Sequence, residues 1–107
     1  MARHEEKLAE SIRQIAAAFI GKETDRGALV TVTGVRLTGD HGKAEILITV
    51  LPQDKEKDEL NHLKSRRAAF WRHAADHMRT RRLPALDFEL DRGEKNRRRL
   101  DELSGSL

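Results

Sequence analysis

The chain has 107 residues, 37% hydrophobic and 36% charged, enough for one domain with a modest core under a densely charged surface. Its 21 Lys and Arg exceed its 18 Asp and Glu by a formal net charge of only +3, so any preference for a charged partner must come from where the charge sits. It has no cysteines, which excludes disulfides and thiolate zinc sites and fits a reducing compartment.

The N-terminal Met1-Ala2-Arg3-His4-Glu5-Glu6-Lys7 lacks the apolar core of a signal peptide, and no apolar run approaches the ~18 residues of a membrane span. The expectation is a cytoplasmic protein without membrane contact. From residue 3 to about 20, Leu8, Ile12, Ile15, Ala16, Phe19 and Ile20 recur on one helical face, with Gly21 and Lys22 suited to a stop. The opposite face mixes Glu with Arg and Lys, which suits a helix covering a sheet better than one lying on a membrane.

A polar loop, Gly21 to Gly27, leads into a β-hairpin. Its first run is Leu29 to Thr38, its tip Gly39-Asp40-His41-Gly42, and its second run Ala44 to Leu51. Ala44, Ile46, Ile48 and Val50 share a face. In the first run Val30 and Val32 share a parity that Val35 and Leu37 break. A β-bulge near Thr33-Gly34 restores one apolar face.

Pro52-Gln53-Asp54 reads as a turn with Asp54 as N-cap. Helix then runs from about Lys55 to Arg82, with Leu60, Leu63, Phe70, Ala74 and Met78 forming a stripe. Arg67 falls on that stripe where an apolar residue belongs, which predicts two helices meeting near Arg66–Ala69. Pro84 ends the helical run, and Leu86-Asp87-Phe88-Glu89-Leu90-Asp91 alternates as a third strand. Residues 93–107 form a charged, then Ser- and Gly-rich tail, expected to be flexible beyond a short helical turn around Asn96–Leu103. The order is helix, strand, strand, helix, helix, strand within residues 1–92. Three strands with one apolar face and three striped helices are satisfied by a two-layer α+β domain with a three-stranded mixed sheet.

The strongest chemical signal is local charge. Between Asn61 and Arg82 lie Lys64, Arg66, Arg67, Arg72, Arg79, Arg81 and Arg82, against one acid, Asp76. Guanidinium forks match phosphate oxygens, whereas base stacking needs several aromatics and only Trp71 is available. Trp71 serves equally well as a cap on the core edge. The pattern therefore points to a nucleic-acid backbone, with a merely solvated basic face as the plain alternative. His73 and His77 stand at a metal-ligand spacing, but Asp76 is one methylene shorter than the Glu of the related zinc signature, so no metal or cofactor is expected. Gly39-Asp40-His41-Gly42 matches the GxxG pattern of nucleotide-clamping loops, but those join helices and this one joins strands. No Ser has the surroundings of a nucleophile, and nothing amounts to an active site or a small-molecule substrate pocket.

Several stretches resemble a known family in order along the chain: Val30-Thr31-Val32-Thr33-x-Val35, Asp40-x-x-x-Ala44, the strand to Leu51, Leu63, and Met78-Arg79-x-Arg81 running into Pro84-x-Leu86-x-Phe88-x-x-Asp91. Together they resemble the ribosome-binding factor A family. The resemblance implies a type II KH-like fold. It also implies a non-catalytic maturation factor that binds the small (30S) ribosomal subunit and precursor 16S rRNA, assists late processing of the 5′ end and supports growth in the cold. The family's Ala-x-Gly element at the helical bend falls here on Arg66-Arg67-Ala68, and its usual Pro-Glu-Leu is Pro84-Ala85-Leu86. On this reading Lys64, Arg66, Arg67, Arg72, Arg79, Arg81 and Arg82 face RNA, and the protein acts as a monomer. A KH-like nucleic-acid binder unrelated to ribosome assembly, or a basic protein-interaction module, are the alternatives.

Overall fold

A computed structural model describes residues 2–23, 27–40 and 42–93, with side chains from residue 6 onward. Helix α1 (Ala2–Glu23) is followed by strands β1 (Leu29–Leu37) and β2 (Lys43–Leu51). A single 3-10 turn (Gln53–Lys55), helices α2 (Glu56–Ser65) and α3 (Arg67–Met78), and strand β3 (Ala85–Leu90) complete the order. The sheet order is β1-β2-β3, antiparallel between β1 and β2 and parallel between β2 and β3. This is the expected order and the expected mixed sheet. The helical turn expected at Asn96–Leu103 lies outside the described residues. Among the described residues no helix is long and apolar enough to cross a membrane.

The alternating pattern of β2 becomes an alternation of burial. Ala44, Ile46, Ile48 and Val50 are buried against the helices. In β1 the register passes from Val32↔Ile48 to Gly34↔Leu47, so Thr33 is the extra residue of a bulge. That one insertion puts Val30, Val32, Val35 and Leu37 on the same core side, as the parity break in the sequence requires. The Thr33 hydroxyl donates to the Asp91 carboxylate just beyond β3 and lies 3.3 Å from the Leu47 carbonyl oxygen, so one side chain spans all three strands. At the hairpin tip Asp40 Oδ1 accepts from the Thr38 hydroxyl at 2.7 Å and the Gly42 N–H at 3.0 Å. The tip is thus a side-chain-braced turn.

Helix α1 supplies Ile12, Ile15, Ala16 and Ile20 to the core, α2 supplies Leu63, and α3 supplies Phe70 and Ala74. The seam is aromatic. Phe70 of α3 meets Phe88 of β3 at 5.4 Å between ring centroids and Phe19 of α1 at 5.0 Å, both tilted, a favoured ring geometry.

Helix ends depart from the sequence reading in three places. Helix α1 runs on through Gly21 and Lys22 to Glu23, whose carboxylate is held by His62 at 3.3 Å and Arg66 at 3.5 Å. Asp54 does not cap α2. It lies in the 3-10 turn, and Lys55 occupies the cap position without a side-chain capping bond to the helix. Helix α3 stops at Met78, not Arg82, because Arg79 is left-handed. The bend falls where expected, at Arg66, with φ −101° and ψ 5°. Its N–H bonds back to Leu63 and its carbonyl accepts from Phe70, so the corner keeps its backbone hydrogen bonds without a glycine.

Acids on β3 clamp this corner. Lys64 reaches Glu89 at 2.8 Å and Asp87 at 3.1 Å, and Arg67 reaches Asp87 at 3.5 Å. Burial alone would push the Asp87 carboxyl up. The Phe88 N–H, then Lys64 and Arg67, outweigh that and hold it below its ordinary value. Burial alone would push the Lys64 ammonium down, and its bonds to Glu89 and Asp87 hold it above its ordinary value.

Two outcomes follow from this packing. Phe70→Ala is expected to lower stability by about 3–5 kcal/mol in urea melts, a large part of a small domain's margin. Asp87→Asn is expected to cost about 1–3 kcal/mol at neutral pH. Because the folded-state pKa of Asp87 is depressed, its contribution is complete above the unfolded value of about 4 and is lost as pH falls below it. Melts at descending pH should therefore bring the variant and the parent together on the acid side.

Candidate nucleic-acid interface

The C-terminal end of α3 shows how the basic segment is built. Arg79 adopts φ 54° and ψ 47°. Its N–H bonds to the Asp76 carbonyl at 3.2 Å, and the Thr80 N–H bonds to the Ala75 carbonyl at 3.0 Å. This is the paired closure of a Schellman cap, with an arginine where glycine is usual. A left-handed L-residue costs about 1–2 kcal/mol. The Arg82 N–H then bonds to the Thr80 hydroxyl at 3.0 Å. At the far end of the loop the Trp71 indole N–H donates to the Pro84 carbonyl at 3.1 Å, and Pro84 is buried. The segment from Arg79 to Arg82 is thus fastened at both ends. Trp71 is half-buried against the core and serves as an edge cap, one of the two roles open to it from sequence.

The seven basic residues fall into two groups. Lys64, Arg66 and Arg67 surround the corner between α2 and α3, and each meets an acid of the scaffold: Asp87 and Glu89, Glu23, and Asp87 respectively. The Lys64 side chain is 29% exposed and Arg66 and Arg67 are about half exposed, so the arginine pairs are weak surface contacts and the lysine is the most enclosed. Arg72, Arg79, Arg81 and Arg82 are exposed, and among the described residues none of their side chains has an ion pair or hydrogen bond. These four lie on α3 and the loop that follows it. The basic residues therefore belong to the helical layer or to its exit.

The other motifs are structural in place. His73 and His77 are exposed on α3 with ring centroids 6.2 Å apart, and His73 lies 5.9 Å from Phe19. The GxxG tip connects β1 to β2, and the Gly42 carbonyl accepts from the Ala85 N–H at 3.0 Å, which brings the tip beside the start of β3 and the end of the arginine loop. Sequence reasoning missed the acids that hold the corner, Glu23, Asp87 and Glu89. Asp87 and Glu89 were legible only as the outward positions of an alternating strand. It also missed Thr80, which organises the loop.

Comparison with known proteins accords with this architecture. A family model described as ribosome-binding factor A matches residues 3–104. A ribosome-binding factor A from Rhodopirellula baltica is 33% identical over 100 residues, covering 91% of this chain and 73% of its own. The crystal structure of ribosome-binding factor A from Thermus thermophilus is similar with a TM-score of 0.70 at 26% identity, over 81% of this chain and 96% of that one. A homology model of the Thermus thermophilus factor, fitted into a cryo-EM map of a 30S complex, gives a TM-score of 0.67 at 26% identity, over 78% of this chain and 91% of that one. With nearly its whole length matched and its fold shared, the chain belongs to the ribosome-binding factor A family.

Proposed function

We propose that this protein is a cytoplasmic assembly factor that binds the small ribosomal subunit and precursor 16S rRNA during late maturation and 5′-end processing, with a part in growth in the cold. It acts by binding, as a monomer, and carries out no catalysis. The observation that carries this reading is the group of four exposed arginines, Arg72, Arg79, Arg81 and Arg82, without intramolecular partners among the described residues. Guanidinium groups left in water are available to phosphate oxygens, which they engage with paired hydrogen bonds. Membership of a family named for ribosome binding, and likeness to a protein placed in a 30S complex, support rRNA as the phosphate-bearing partner. Lys64, Arg66 and Arg67 stand at the other end of α3, around its start. Their first role is to hold the bend, and their positive field adds to attraction at longer range. Selectivity comes from the shape of the folded rRNA, since phosphate contacts carry no base sequence and Trp71 is occupied with Pro84.

Sedimentation with purified small subunits tests this. The parent protein should co-migrate with free 30S particles, with log affinity falling by about 0.7–0.9 per phosphate contact for each log unit of salt. Arg72→Glu combined with Arg81→Glu should abolish co-migration while the melting curve stays that of the parent. Unchanged sedimentation of the double variant would move the contact surface elsewhere. Absence of any 30S association at low salt would refute the function.

A further inference from the structure

We propose that Arg79 is a dedicated phosphate-contact residue, kept in a strained left-handed backbone so that it joins Arg81 and Arg82 in one prefolded grip on the RNA backbone. This rests on the phosphate-binding function proposed above and assigns one residue of it. Four observations carry it.

First, position 79 is the left-handed residue of the α3 cap, with φ 54°, and is the sole residue other than glycine with positive φ among the described residues. Glycine fits that place without strain, so an arginine there calls for a reason outside backbone geometry.

Second, the side chain has no intramolecular task. It is exposed and makes no hydrogen bond or ion pair among the described residues. A cation is favoured near the negative end of a helix, but lysine meets that requirement equally, and His77 already stands in the last turn of α3.

Third, the backbone donors at the left-handed turn are already committed. Left-handed turns often cradle phosphates with successive N–H groups. Here the N–H groups of Arg79, Thr80 and Arg82 are already given to Asp76, Ala75 and the Thr80 hydroxyl. Recognition of phosphate at the left-handed turn therefore falls to side chains.

Fourth, the same hydrogen bonds and the Trp71 to Pro84 contact fix the loop before any partner arrives. A fixed loop loses little conformational freedom on binding, so each guanidinium contributes more of its interaction to affinity.

The experiment compares Arg79→Gly, Arg79→Lys and Arg81→Gln with the parent in melting and in 30S binding across a salt series. Arg79→Gly should melt at the parent's temperature or up to about 4 °C above it, because it relieves the backbone. The same variant should bind small subunits about five- to tenfold more weakly. Its salt slope should shrink by about 0.7–0.9, the mark of one lost phosphate contact. Arg79→Lys should keep the slope and lose about two- to threefold in affinity, because a point charge replaces a fork. A fall in melting temperature for Arg79→Gly would show the side chain to be structural and overturn the proposal. So would an Arg79→Gly slope equal to the parent's while Arg81→Gln lowers it. If the parent itself fails to bind, the function proposed above fails and this assignment falls with it.

Discussion

Strand β2 is paired on both edges and buried along one whole face, and the rest of the molecule is arranged to keep it so. Its inward residues Ala44, Ile46, Ile48 and Val50 are all at most 1% exposed. A small sheet with such a face is not stable in water by itself. Helix α1 covers the β1 side, and the corner of α2 and α3 covers the β3 side, with Phe19, Phe70 and Phe88 locking the two covers together. Because β3 runs parallel to β2, the chain must return from the end of α3 to the end of the sheet where β2 begins. That return is the arginine segment. Its place beside the hairpin tip is a consequence of strand direction.

The second organising principle is the sorting of charge. Acids of the scaffold stand where basic residues would otherwise crowd the corner. Glu23 takes Arg66, while Asp87 takes both Lys64 and Arg67. Away from the corner, Arg36 of β1 is closed off by Glu45 of β2 at 2.7 Å. Past Met78 the loop carries no acid at all before Pro84. The protein's modest net charge of +3 therefore understates the local field at the loop.

Much of this is legible in the sequence because the signals are periodic. The parity break between Val32 and Val35 locates the bulge, and Arg67 interrupting a leucine and phenylalanine stripe locates the bend. What is not legible is set by contacts distant in sequence. The last turn of α1 is held by His62 and Arg66, His62 lying 39 residues further along the chain, so local stop residues at Gly21 and Lys22 cannot reveal it. The left-handed state of Arg79 has no glycine or asparagine to announce it, so periodicity alone carries the helix too far, to Arg82. The division of the basic cluster into corner and loop depends on which acids fold against it, and the outward acids of β3 look in sequence like ordinary solvated positions.

The corner itself has a consequence of a different kind. Its backbone at Arg66, φ −101° and ψ 5°, has negative φ in the bridge region, so the fold does not require a glycine at that site. The change of direction therefore needs no glycine, and the side chains of Lys64, Arg66 and Arg67 fasten it with opposite charges instead of close-packed backbone. A joint fastened electrostatically tightens in dilute buffer and loosens as counterions accumulate. The charge fastening at the joint thus weakens in salt, while Phe70 and Ala74, fully buried, keep α3 seated on the sheet.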